Sequence, residues 1–122
     1  INSAEDIVDQ LKEIRDKKQE YLVCLSLDGA NRLIAKRIIT IGTLNANLIH
    51  PREVFADAIT DRAAGIIVAH NHPSETLRPS ENDIKVTKKL QQAGEILGIT
   101  LLDHIIITKN KYLSFAEEGL MK

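Results

Sequence analysis

The chain has 122 residues, 16 Lys and Arg against 17 Asp and Glu, 43% apolar and 3% aromatic residues. That length fits one domain whose core needs no metal or disulfide staple, and it excludes two full domains. A net charge of −1, with no Trp and only two Tyr and two Phe, removes the simplest electrostatic case for nucleic acid or an anionic membrane, and with it an aromatic platform for stacking bases.

From Ser3, the run S-A-E-D followed by Ile7, Leu11 and Ile14 predicts a capping-box start and a helix to about Lys17. Residues 20–27 and 32–41 are β-rich and flank the turn-forming Asp28-Gly29-Ala30-Asn31, which reads as an antiparallel hairpin ending at Gly42. Cys24, the single cysteine, lies inside the apolar run YLVCLSL and reads as a small buried hydrophobe in a reducing compartment. After a polar loop, Pro51 opens a helix that carries Val54, Phe55, Ala58 and Ile59 on one side to about Asp61. Gly65 to Ala69 is a continuous apolar run, the mark of a strand covered on both faces and hence of the central one.

His70-Asn71-His72-Pro73 follows directly, and Pro73 to Pro79 must be loop. Ser80-Glu81-Asn82-Asp83 opens the next helix, with Ile84, Thr87, Leu90, Gln91 and Leu97 as its partly apolar face and Gly98 as its stop. Lys85, Lys88 and Lys89 fall on a face expected to be solvated. Ile99 to Thr108 is a second buried strand, turned by Lys109-Asn110-Lys111 into Tyr112 to Phe115. Interleaved helices and strands, with hairpins at both ends, predict an α/β fold: a three-layer α-β-α arrangement around a mixed sheet. No stretch approaches the ~18 apolar residues of a membrane span, and no secretory signal opens the chain. A cytoplasmic protein is therefore expected, and the start at Ile1 fits a fragment excised from something longer.

Chemistry concentrates at the end of the central strand, the usual ligand position in an open α/β sheet. Residues i and i+2 of an extended segment point the same way, so the imidazoles of His70 and His72 can reach one point, with Asn71 facing opposite in a loop-fixing role. Asp83, in the first turn of the following helix, can return its carboxylate to that point. Two imidazoles and a carboxylate make a zinc-type set with a fourth position left for water, which favours hydrolysis of an acyl bond. Each residue also has an ordinary reading: a strand histidine can be a satisfied core residue, and Ser80 with Asp83 is itself an S-x-x-D capping box. Jointly, two same-side histidines at the mouth of the most buried strand require partners. A zinc deaminase would need a P-C-x-x-C run, a thermolysin-type site H-E-x-x-H, and a barrel amidohydrolase at least about 200 residues; none fits.

His70-x-His72, seven residues, Ser80, two residues, Asp83 is the H-x-H-x₇-S-x₂-D signature of the JAMM (JAB/MPN) metallopeptidases. The surrounding text resembles the bacterial RadC proteins: His50-Pro51-Arg52-Glu53, His70-Asn71-His72-Pro73-Ser74, Leu102-Asp103-His104-Ile105-Ile106, then Tyr112, Ser114-Phe115 and Gly119. The resemblance runs from about Glu20 to the C-terminus and implies a single JAMM/MPN-type RadC domain over residues 1–122 with the JAB/MPN, cytidine deaminase-like fold. RadC proteins commonly carry a helix-hairpin-helix-like domain ahead of this one. The resemblance further implies that His70, His72 and Asp83 hold Zn²⁺, that Ser80 donates a hydrogen bond at the reacting oxygen, and that an upstream glutamate is the general base. Glu20, at the first helix-to-strand transition, is the choice for that base, and Glu53 is the alternative. Asp103 and His104 could orient a metal-bound histidine or form a local buried pair. Glu75 stands where the RadC motif has glycine, so a loop backbone there would be strained or rearranged, with a carboxylate near the substrate.

The activity implied is that of a zinc metalloprotease acting on a peptide or isopeptide-bearing protein, through a metal-activated water. The alternative is a catalytically silent JAMM-like module of a RadC protein linked to DNA repair. Neither nucleic-acid nor membrane binding is expected of this segment.

Overall fold

The computed structural model describes residues 1–121; Lys122, the last residue of the expected domain, lies outside the described residues. In chain order, helix α1 (Ala4–Asp9) and a 3₁₀ turn (Lys12–Ile14) lead into strands β1 (Tyr21–Leu27) and β2 (Leu33–Ile41). Helix α2 (Pro51–Thr60), strand β3 (Gly65–Asn71), helix α3 (Glu81–Leu97) and strands β4 (Thr100–Ile107) and β5 (Tyr112–Ser114) follow. Among the described residues, five strands form one sheet in the order β2-β1-β3-β4-β5. β3 and β4 are parallel, while β1 pairs antiparallel with β2 and β3, and β4 with β5. The sheet is mixed, as expected, because α3 supplies the crossover that a parallel pair needs.

β3 is central, and all seven of its residues are buried. Alternation divides its side chains: Ile66 and Val68 join Leu22, Cys24, Phe55, Val86 and Leu90 on the α2/α3 side. Ile67 and Ala69 join Ile7, Leu11, Val23 and Leu25 on the α1 side. Each such aliphatic side chain contributes about 1.5–3 kcal/mol by leaving water, and this two-sided burial is why the run shows no polar alternation. Cys24 is buried as expected, and burial pushes its thiol up to about 12.

Four local expectations need correction. The first helix stops at Asp9, although Ile7, Leu11 and Ile14 all reach the core. The Gln10 carbonyl accepts from the Lys36 ammonium at 2.6 Å, and Ile14 N–H turns instead to the Leu11 carbonyl at 3.1 Å, tightening the chain to 3₁₀. Nor does Ser3 close a capping box: its side chain makes no cap bond, and the Asp6 carboxylate accepts from Asn2 N–H at 2.8 Å.

On α3 the buried face is Asp83, Val86, Thr87, Leu90 and Gly94, with Ile84 and Leu97 exposed. That face contains two polar residues, so apolar periodicity placed it about one residue off. Lys89, expected in solvent, donates to the carbonyls of Ala46 (3.1 Å) and Ile49 (2.8 Å), pinning the 42–50 segment onto α3.

Gly98 ends α3 in the left-handed region at φ 73, the conformation that favours glycine there. Gly94 answers a different constraint, since a Cβ would sit 2.3 Å from the Ile99 backbone oxygen at the α3–β4 turn. Gly94→Ala is expected to destabilise by about 1–3 kcal/mol despite alanine's better helix propensity. Urea unfolding should show a lower midpoint at an unchanged slope.

Candidate metal centre

His70 is the sixth residue of β3 and His72 the first beyond it. The parallel ladder runs one residue past the strand, His72 N–H donating to the Ile107 carbonyl at 2.8 Å, so both imidazoles leave the sheet on the same side. Their Nε2 atoms lie 2.8 Å apart. The Asp83 carboxylate closes the group, with Oδ1 3.0 Å from His70 Nε2 and Oδ2 3.2 Å from His72 Nε2. All three residues are buried.

Asp83 is held by both readings of its motif at once. Ser80 Oγ accepts from Asp83 N–H at 3.0 Å, and the Asp83 carboxylate accepts from Ser80 N–H at 2.7 Å through Oδ2. The capping box thus orients the carboxylate while leaving Oδ1 with no hydrogen-bond donor, the sole such buried side-chain atom among the described residues. A buried orphan oxygen facing an imidazole nitrogen is costly unless a cation meets it. His72 is oriented by Nδ1–H, which donates to the Thr76 carbonyl at 2.7 Å; a carbonyl can only accept, so whenever His72 is neutral its Nε2 is bare.

Glu20 precedes β1, and one of its carboxylate oxygens lies within 4.8 Å of ligand nitrogens of His70 and His72. Asn71, pointing away from its histidine neighbours, brackets that residue. Its Oδ1 accepts from Tyr21 N–H at 2.6 Å, and its Nδ2 donates to the carbonyls of Gln19 (2.9 Å) and Lys17 (3.4 Å). The Glu20 carbonyl accepts from Gly42 N–H at 2.8 Å. The backbone around Glu20 is therefore fixed on three sides and only the side chain is left free. Glu53, the alternative base, is on the outer surface of α2, its side chain 66% exposed beside Arg52.

Asp103 and His104 face different ways. The Asp103 carboxylate accepts from Ser114 Oγ–H, Ala116 N–H and His104 N–H, serving the β5 end of the sheet; burial raises its pKa against those bonds. The His104 ring is fully buried, stacked on Phe115, with Nε2 2.8 Å from His70 Nδ1 and Nδ1 2.6 Å from Thr87 Oγ1. Thr87 is the member of this group that sequence reasoning assigned to an apolar face. Its spacing of four from Asp83 was the available signal, because i and i+4 share a helix face. Glu75 keeps the left-handed backbone that glycine would favour, at φ 68, and its carboxylate accepts from Lys109 N–H at 3.1 Å. A non-glycine residue in that region carries local strain.

A cleft of about 720 Å³, lined in part by Lys18, Glu20, Thr43, His72, Arg78 and Ser80, opens onto the group. Ser80 is exposed on it, and since Ser80 Oγ accepts from Asp83 N–H, its own proton is free to donate into the cleft. The donor set, imidazole nitrogens with carboxylate oxygens, suits a divalent transition-metal ion, and Glu20, His70 and His72 form a cluster that could hold one.

The chain matches the family model described as the RadC-like JAB domain over residues 1–120. It is 52% identical over 114 residues to the UPF0758 protein of Methanospirillum hungatei, covering 93% of this chain and 51% of that protein. It is 48% identical over 120 residues to that of Methanococcoides burtonii, covering 98% of this chain and 52% of the other. With the UPF0758 protein of Pelobacter propionicus, identity is 49% over 109 residues, 89% of this chain and 48% of that protein. The chain spans about half the length of the relatives it matches. No helix among the described residues is long and apolar enough to cross a membrane.

Burial opposes a charged His72, but the Asp83 carboxylate and the Thr76 carbonyl outweigh it and hold this imidazole above its ordinary range. Burial likewise opposes an ionised Asp83, yet the hydrogen bonding and charge of the paired His70 and His72 imidazoles, with the Ser80 N–H, hold the carboxyl well below the usual carboxylate range. The metal-free group therefore holds a proton on His72 to higher pH than a free imidazole would, and a metal ion must displace it. Metal affinity should rise with pH through the raised His72 value, with proton release on binding. Calorimetric titration at pH 6 and pH 8, in buffers of different ionisation enthalpy, reads both quantities. The sign for stability without metal is opposite: the His72 contribution is present below about pH 6.5 and lost as pH climbs past its folded value.

Proposed function

Because this chain belongs to the RadC-like JAB domain family, we propose that it is a zinc-dependent hydrolase of peptide or isopeptide bonds. The observation that carries the reading is the buried, donorless Asp83 Oδ1 facing His70 Nε2 beside His72 Nε2, with a free carboxylate, Glu20, close to both histidines at the foot of an open cleft. A fold-stabilising ion pair alone would need neither the orphaned oxygen nor the cleft. In this reading His70, His72 and Asp83 hold Zn²⁺. When bound, Zn²⁺ lowers the pKa of a water from 15.7 to about 7 and polarises the scissile carbonyl.

The chain's own residues do the rest. Glu20 accepts the proton of the attacking water and returns it to the departing amine. Its bracketed backbone fixes the point from which the side chain reaches the histidines, which reduces the orientational entropy to be lost at the moment of reaction. Ser80 donates its hydroxyl proton to the carbonyl oxygen as negative charge develops there, the oxygen lone pair being already engaged by Asp83 N–H. A cleft of this volume admits a short extended stretch of substrate. The features that favoured a catalytically silent module, Glu75 in place of glycine and an unassigned base, carry less weight with the Glu75 carboxylate engaged by Lys109 N–H and Glu20 near the histidines.

Protein purified without a histidine tag is expected to carry one zinc per chain by elemental analysis, and His72→Ala none. Glu20→Gln should keep the metal yet cleave an isopeptide- and peptide-library substrate about 10²–10⁴-fold more slowly. Wild-type protein without metal, or Glu20→Gln cleaving at the wild-type rate, would overturn the reading.

A further inference from the structure

His70 can serve as a ligand through Nε2 only if its proton resides on Nδ1, and the fold contains a chain of contacts that decides where that proton goes. His70 Nδ1 is 2.8 Å from His104 Nε2, His104 Nδ1 is 2.6 Å from Thr87 Oγ1, and Thr87 Oγ1–H donates to the Asp83 carbonyl at 2.9 Å. All four residues are buried. The chain starts from the metal-facing imidazole and ends on the backbone of the metal-facing carboxylate.

Proton bookkeeping gives the direction. A hydroxyl has one proton, and a carbonyl can only accept. Thr87 sits one helical turn after Asp83, where a threonine hydroxyl donates back to the i−4 carbonyl; with its proton so placed, Oγ1 meets His104 as an acceptor, and His104 Nδ1 carries a proton. The His104 ring touches a hydroxyl, the His70 ring and the face of Phe115, and no carboxylate hydrogen-bonds it among the described residues. A fully enclosed imidazolium without such a partner is prohibitively costly, so the ring is neutral and its Nε2 is a lone pair. That lone pair accepts from His70 Nδ1–H, and His70 Nε2 is left bare toward Asp83 Oδ1, 3.0 Å away. Reversing every bond would place a proton on His70 Nε2 instead and block ligation. We propose that Thr87 is a positioning residue which, acting through His104, holds His70 in the Nδ1–H tautomer and so keeps Nε2 open for the metal.

This rests on the metal-site reading above, but it concerns protons already present in the metal-free protein. Thr87→Val keeps the shape and removes the acceptor, leaving a buried His104 Nδ1–H unpaired. His104 then moves its proton to Nε2, and His70 loses its bare nitrogen.

The test is long-range ¹H–¹⁵N correlation spectroscopy of the histidine rings in metal-free protein, with zinc affinity measured by competition against a chromophoric chelator. Wild-type protein should show both His104 and His70 protonated at Nδ1. Thr87→Val should show His104 protonated at Nε2 and bind zinc about 10–100-fold more weakly, whereas Thr87→Ser should restore both readouts. A wild-type His104 protonated at Nε2 overturns the proposal with no variant needed. So does Thr87→Val with the wild-type tautomer pattern or wild-type zinc affinity. If the wild-type protein binds no zinc, the hydrolase reading falls, while the tautomer pattern still decides the role of Thr87.

Discussion

One carboxylate organises the site. Asp83 is wedged between two imidazole nitrogens at 3.0 and 3.2 Å and held from behind by the amide of Ser80. Taking an ionised carboxylate out of water is affordable only with partners on several sides. Each partner comes from a different element: the β3 terminus, the residue beyond it and the start of α3. Docking α3 against the sheet therefore cannot be separated from assembling the site. The helix shows this in its buried face, where Asp83 and Thr87 occupy positions that an ordinary amphipathic helix would give to leucine.

The short segment His70-Asn71-His72 works in two directions because extended backbone alternates. The imidazoles turn toward α3 and the cleft, and the amide between them turns toward the chain entering β1. There Asn71 engages backbone on both sides of Glu20, so two parts of the site 50 residues apart are tied by one side chain. The same loop that carries His72 is closed by the Thr76 carbonyl on its ring and by Glu75 on the Lys109 turn. Its left-handed residue costs of order 1–3 kcal/mol in local strain, and these surrounding bonds hold it.

Helix and strand identities, the central place of β3 and the clustering of histidines at its end were all legible along the chain. Those features follow from spacing and side-chain type, which are local. The errors arose where a distant group intervened. Lys36, from a facing strand, takes the Gln10 carbonyl and shortens α1. A polar pair displaced the inferred face of α3, because hydrophobic periodicity counts a buried aspartate as surface. Lys89 looked solvated until the 42–50 segment supplied two carbonyls for it.

The chain by itself determined which residues could converge: two same-side imidazoles on an extended segment and an aspartate that a helix start would orient. The three-dimensional arrangement decided what they meet. It brought Glu20 and not Glu53 to the histidines, sent the Asp103 and His104 side chains to different partners, and linked His104 through Thr87 to the backbone of Asp83. The physical reason is that local rules govern direction along one element, whereas distances between elements are set by how their buried faces pack against a common sheet.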